Sequence, residues 1–192
     1  SFEGNLTDSI TGQTGATTGS LANQSGGSVT YVDGVVGQAV NLNGSSGVKL
    51  PTMLNSDTYT VSFWMKANRT TNYTPAVFLT QNADNWVSIT PKGWLTYDGP
   101  MVWSCTNGST YADLVPSDNA SHLNVGEWTH VAVTADSGVA TIYVNGQAIA
   151  NGPVQQVLSQ GAEVYLGVNF WDAAFNGAID ELYLSQQVED YA

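Results

Sequence analysis

The stretch Tyr59-Thr60-Val61-Ser62-Phe63-Trp64-Met65-Lys66 alternates strictly between two kinds of side chain. One face carries large apolar residues, at Tyr59, Val61, Phe63 and Met65. The other face is mostly polar and carries Thr60, Ser62, Trp64 and Lys66. A period of two is that of a β-strand that buries one face, so the stretch predicts a strand packed against a core.

Short strand patterns recur on both sides of this stretch, separated by turn residues such as those of Asp136-Ser137-Gly138. Residues 106–124 are predicted to form a long loop, and no helical periodicity of useful length is present. Many short strands with regular turns predict an all-β chain folded as a two-sheet antiparallel sandwich. The predicted strands are 28–32, 38–42, 47–50, 59–67, 76–80, 86–90, 93–97, 100–105, 128–135, 139–144, 163–167 and 177–185.

The charge balance restricts the partners. The 192 residues include 16 acidic and 4 basic ones, which gives a formal net charge of -12. Such a surface repels phosphate, so we expect neither nucleic acid nor an anionic membrane as a partner. Neutral glycans and cations remain compatible with the charge.

The chain length suits one domain, here residues 1–192. Cys105 is the only cysteine, so no intrachain disulfide can form, and no apolar run is long enough to span a membrane. The chain opens at Ser1-Phe2-Glu3-Gly4, already within a strand-like pattern. We therefore expect a monomeric module tethered to other domains of a secreted or cell-surface protein.

Six motifs, in this order, resemble those of the concanavalin A-like jelly-roll domains of the laminin G type. In bacteria such modules are attached to glycoside hydrolases and surface proteins. The resemblance covers nearly the whole chain and implies a jelly-roll β-sandwich, but the fold alone does not specify a ligand. The motifs are Phe2–Asn5, Gly37–Gly44, Tyr59–Lys66, Gly126–Thr134, Ile142–Gly146 and Phe175–Leu182.

The resemblance also implies a structural Ca²⁺ site. In domains of this type the first and last strands are neighbours, which would bring Glu3 close to Asp180. The turn Asn43-Gly44-Ser45 is placed in its motif to supply a backbone carbonyl, at Gly44. Ca²⁺ binds six to eight oxygen ligands, and such a set of carboxylates, carbonyl and water suits it. The alternative is that the two acidic residues only cap strand ends.

The middle of the chain departs most from the family pattern and is rich in aromatic residues, which suggests a sugar-binding surface. Sugar rings stack on indole faces, while short polar groups bind their hydroxyl groups. Strand register turns Trp86 and Trp94 away from the core, and Trp103 and Trp171 lie near loops. For each of the four, packing beneath a loop is the alternative. The predicted hydrogen-bonding residues are Asp98, Asn85 and Asn107.

No catalytic constellation is evident. The paired-carboxylate signature Glu-x-Asp-x-x-Glu of glucanases with this fold is absent, and Asp180 and Glu181 point to opposite faces because they are adjacent in a strand. The sequence therefore predicts a non-catalytic carbohydrate-binding module of an extracellular glycan-active or cell-surface protein. The alternatives are an adhesion or spacer domain that binds protein or no ligand, and a hydrolase.

Overall fold

The computed structural model describes residues 1–93, 99–118 and 120–191. Within these residues the chain forms fourteen β-strands and no helix. The strands are β1 (Ala16–Thr18), β2 (Thr30–Asp33), β3 (Gln38–Asn43), β4 (Gly47–Leu54), β5 (Tyr59–Ala67), β6 (Val77–Asn82), β7 (Asn85–Thr90), β8 (Met101–Thr106), β9 (Thr110–Leu114), β10 (Thr129–Asp136), β11 (Val139–Val144), β12 (Gln147–Pro153), β13 (Ala162–Leu166) and β14 (Asn176–Ser185).

The strands form two seven-stranded sheets, here named the front and back sheets. The front sheet has the order β1-β4-β13-β6-β7-β8-β9, and the back sheet has the order β12-β11-β10-β5-β14-β3-β2. Every strand pair in both sheets is antiparallel. The predicted all-β jelly-roll sandwich is confirmed.

Strand β5 lies in the middle of the back sheet, between β10 and β14. Its apolar face points into the core, where the side chains of Val61 and Phe63 are fully buried. The register pairs Val61 with Val133 of β10, so inward-facing residues of neighbouring strands lie side by side. The strict alternation of this stretch therefore predicted both the strand and the face that it buries.

The front sheet shows the same alternation but places aromatic residues on its outer face. In β7, Val87 and Ile89 belong to the main core, whereas Trp86 belongs to a second cluster on the opposite face. In β8, Val102 points inward, and Trp103 contacts the outer cluster. The sandwich core thus leaves these two indoles to be covered by other parts of the chain.

The middle of the chain differs in part from the sequence-based predictions. The prediction of a loop throughout residues 106–124 is wrong in part, because Thr110–Leu114 forms β9 at the edge of the front sheet. The predicted strand 93–97 falls almost entirely outside the described residues. In the part of the chain that is described, no helix is long and apolar enough to cross a membrane.

Two buried tyrosines test how hydrogen bonding contributes to the stability of this fold. The Tyr59 hydroxyl group lies in the core and has no hydrogen-bond partner among the described residues. Burial raises the pKa of Tyr59 above its usual value, and the charge of Asp57 raises it further. The Tyr165 hydroxyl group, by contrast, donates a hydrogen bond of 2.6 Å to Glu163.

We predict that Tyr59→Phe raises the free energy of unfolding by about 1 kcal/mol, because it removes a buried polar group that has no partner. The matched variant Tyr165→Phe should lower it by about 1–2 kcal/mol, because a hydrogen bond is lost. Urea denaturation of both variants measures these changes. Equal destabilisation by the two substitutions would contradict the prediction.

Candidate functional site

A pocket of about 370 Å³ lies on the outer face of the front sheet. It lies near the turn between β6 and β7 and the turn between β8 and β9, and the loop after β13 borders it. This volume falls within the range of small-ligand sites. The side chains that shape it, here named the aromatic pocket, are Trp86, Trp103, Tyr111, Trp171, Asp84 and Asp172.

Strand register sets the positions of three of the pocket's four aromatic rings, those of Trp86, Trp103 and Tyr111. Trp86 of β7 pairs with Cys105 of β8, which pairs in turn with Tyr111 of β9, so these side chains form one row across the strands. The ring centroids of Trp86 and Trp103 are 4.8 Å apart in an edge-to-face arrangement. Trp103 and Tyr111 are nearly parallel, with centroids 5.8 Å apart. These contacts hold the rings in fixed positions.

The fourth ring belongs to a loop whose shape is fixed by Asn169. The buried Asn169 side chain accepts hydrogen bonds from the backbone N–H of Trp171, at 2.9 Å, and of Asp172, at 2.8 Å. Its amide also donates to the Asp172 carboxylate at 2.8 Å. The Trp171 ring consequently lies over the sheet, with its centroid 5.6 Å from that of Trp86.

The rings differ in how much surface they offer to a ligand. Trp86 is only 4% exposed and forms the floor of the pocket. Trp171 and Tyr111 are each 51% exposed and form parts of its walls. A ligand would therefore stack mainly on Trp171 and Tyr111, whereas Trp86 supports them from beneath.

The charged side chains among the described residues that line the pocket are all negative. Asp84 and Asp172 line it, and none of the described lining residues is basic. Burial raises the pKa of the Asp172 carboxyl group, although the hydrogen bond from Asn169 acts in the opposite direction. Burial also raises the pKa of Asp113, which lies opposite Trp103 on β9.

Comparison with known proteins agrees with this architecture. A laminin G-type family model, described as the concanavalin A-like lectin/glucanases superfamily, matches residues 42–188. The chain belongs to the concanavalin A-like lectin/glucanase superfamily. No curated protein sequence matches the chain.

One solved structure has 35% sequence identity to this chain and a TM-score of 0.84. It is domain 4 of AbnA, a GH43 extracellular arabinanase from Geobacillus stearothermophilus, in complex with arabinotriose. The match covers 94% of this chain and 86% of that one.

Two more distant structures share the fold. The carbohydrate-binding module CBM66 from Bacillus subtilis is 15% identical, with a TM-score of 0.50 and coverage of 82% of this chain and 91% of its own. The CBM40 of a Ruminococcus gnavus IT-sialidase is also 15% identical, with a TM-score of 0.57. The match covers 79% of this chain and 91% of that one. At this level of identity the likeness extends to the fold alone.

Of the four predicted tryptophans, the structure brings Trp86, Trp103 and Trp171 together in the aromatic pocket. Trp94 and the predicted hydrogen-bonding residue Asp98 lie outside the described residues. The sequence interpretation missed Tyr111, since it placed residues 106–124 in a loop. The alternation of Thr110–Leu114 was the signal that could have identified it.

Asn85 and Asn107 are placed beside the pocket rather than among its lining residues. The Asn85 side chain accepts hydrogen bonds from the Asn107 N–H at 3.0 Å and the Thr106 hydroxyl at 3.2 Å. Its amide donates to Asn82 at 3.0 Å. Asn85 therefore joins two turns that border the pocket. The acidic residues that do line it, Asp84 and Asp172, were not predicted as ligand-binding residues.

The predicted metal-binding carboxylates, Glu3 and Asp180, both contact the tight turn at residues 34–37. Asp180 is fully buried and accepts a hydrogen bond from the Val36 N–H at 3.0 Å. Glu3 accepts from the Gln38 N–H at 3.3 Å and lies so close to Gly37 that a Cβ there would overlap its carboxylate. The fold thus brings the first motif and the last strand to one turn.

The two carboxylates on this turn are of the kind that Ca²⁺ accepts as ligands. Among the described residues no basic side chain forms an ion pair with the buried Asp180 carboxylate, whose two oxygens instead accept hydrogen bonds from the N–H groups of Val36 and Glu181. Among the same residues no cluster of three or more His, Cys, Asp or Glu side chains could hold a metal. The remaining ligands would therefore have to be backbone carbonyls and water, which Ca²⁺ accepts.

Gly44 is not brought to this pair, which corrects its predicted part in the site. Strands β3 and β14 are antiparallel, so the turn after β3 meets Asn176 at the start of β14. The Gly44 N–H accordingly donates to the Phe175 carbonyl. Asp180 lies four residues further along β14, roughly 13 Å away at the rise of a β-strand.

Proposed function

We propose that this chain is a non-catalytic carbohydrate-binding module that attaches a larger secreted protein to a neutral glycan. The observation that carries the proposal is the aromatic pocket, in which two half-exposed rings stand above a rigid aromatic floor. The 35% identity to a domain found in complex with arabinotriose supports an arabinose-containing oligosaccharide as the ligand. We further propose that the module acts as a monomer tethered to its neighbouring domains.

The chemistry of the pocket suits a sugar. The C–H faces of a sugar ring pack against Trp171 and Tyr111, and the carboxylates of Asp84 and Asp172 accept hydrogen bonds from its hydroxyl groups. By analogy with base stacking, each ring contributes roughly 1–3 kcal/mol. A shallow site with two such rings gives dissociation constants in the micromolar to millimolar range, as expected of a module that works by attachment.

Catalysis is not part of the proposal. Asp180 is fully buried and accepts hydrogen bonds from the N–H groups of Val36 and Glu181, so it has no access to a substrate. The structure with 35% identity is domain 4 of an arabinanase. By analogy, we assign any catalytic activity of the complete protein to a different domain.

We predict that Trp171→Ala and Tyr111→Ala each weaken arabinotriose binding roughly five- to hundredfold while leaving the melting temperature nearly unchanged. Trp86→Ala should instead lower the free energy of unfolding by about 3–5 kcal/mol, because a buried indole is lost. Isothermal titration calorimetry and thermal unfolding separate the two effects.

Tyr183→Ala provides the control, because it removes a partly exposed aromatic ring from the back sheet and should leave affinity unchanged. Wild-type affinity in all the pocket variants would place the binding site elsewhere. Absence of binding to arabinotriose and to a panel of neutral glycans would favour a spacer or adhesion domain instead.

We also propose that Glu3 and Asp180 hold a structural Ca²⁺ ion at the turn of residues 34–37. The support is the buried Asp180 carboxylate, which forms no ion pair with a basic side chain among the described residues, and the second carboxylate on the same turn. The ion would neutralise both charges and join the first motif to the last strand. It would therefore act on stability rather than on glycan binding.

We predict that EDTA lowers the melting temperature of the wild type, because a ligand that binds only the folded state stabilises it by about 2.7 kcal/mol at a hundred times its dissociation constant. Asp180→Asn should lower the melting temperature and abolish the response to EDTA. His122→Ala, which removes the His122–Asp118 pair of 2.9 Å, should respond to EDTA like the wild type. A wild-type melting curve unaffected by both EDTA and added Ca²⁺ would contradict the proposal.

A further inference from the structure

Negative charge predominates in and around the aromatic pocket. Of the chain's four basic residues, Lys49 pairs with Glu163 at 3.0 Å, and none of the four is among the described residues that line the pocket. Asp84 and Asp172 both line it, and Asp113 lies on the same face of β9 beside Trp103. The net charge of -12 adds to the negative potential around the opening.

We infer that Asp84 and Asp172 make the pocket selective for uncharged glycans and exclude those that carry a carboxylate, such as uronic acids. This inference rests on the proposed function and specifies the substrate class of the same site. The two residues are specificity determinants because they accept hydrogen bonds from neutral hydroxyl groups but can offer no donor to a ligand carboxylate.

The geometry explains why the exclusion is strong. Asp172 is held in the pocket wall by Asn169, which donates to it at 2.8 Å, so its carboxylate cannot readily move away from an incoming anion. Burial beside the rings raises the pKa of Asp172, because removal from water disfavours the charged carboxylate. A ligand carboxylate would meet the same desolvation and also the repulsion of both aspartates.

The test compares arabinotriose with the same trisaccharide after oxidation of its terminal primary hydroxyl group to a carboxylate. We expect the wild type to bind the oxidised form at least roughly tenfold more weakly at low ionic strength. The Asp84→Asn/Asp172→Asn variant should bind the two forms within roughly threefold of each other. Both substitutions conserve shape, and the amide oxygen that replaces a carboxylate oxygen of Asp172 could still accept the hydrogen bond from Asn169.

The matched control is Glu127→Gln/Asp136→Asn, which removes two charges outside the pocket and should retain the wild-type difference. Adding 0.5 M NaCl should reduce that difference, because salt screens repulsion between partly exposed charges. Equal binding of the two trisaccharides by the wild type, or an undiminished difference in the Asp84/Asp172 double variant, would overturn the inference while leaving the proposed function intact. Failure of the wild type to bind arabinotriose would instead count against the proposed function.

Discussion

The structure depends on burial of the inner faces of two antiparallel sheets against each other. Side chains alternate along the regular parts of the strands, so an inward-facing Val or Phe places its neighbour on an outer face. In β5 this requirement puts Val61 and Phe63 in the core and Trp64 outside it. In β7 it puts Val87 and Ile89 in the core and Trp86 outside it. The outward indoles are thus a consequence of the same alternation that builds the core.

The two sheets use their outer faces differently. On the back sheet Trp64 packs edge-to-face against His130, at a centroid distance of 5.1 Å. On the front sheet Trp86 is covered by other aromatic rings, two of which remain half exposed, at Tyr111 and Trp171. Because the buried ring fixes the positions of the exposed ones, the pocket needs little ordering when a ligand binds, which limits the entropic cost of binding.

Alternation and family motifs predicted the sandwich, the core face of β5 and the outward direction of Trp86. They could not predict which distant side chains meet. Trp171 reaches Trp86 because β13 pairs with β6, and this sheet order is not encoded by local periodicity. The same limit applies to Gly44. Its motif is apparent in the sequence, but the antiparallel register of β3 and β14 determines which residue it contacts.

A glycan bound at the aromatic pocket of the front sheet would contact the indole rings there. The decisive measurement follows the indole N–H signals of ¹⁵N-labelled protein by NMR while arabinotriose is added. Binding at the pocket predicts concentration-dependent shifts for Trp171, Trp103 and Trp86, with the signals of Trp64 and Trp128 unchanged. Shifts confined to Trp64 or Trp128, or no shift of any indole at millimolar arabinotriose, would contradict it.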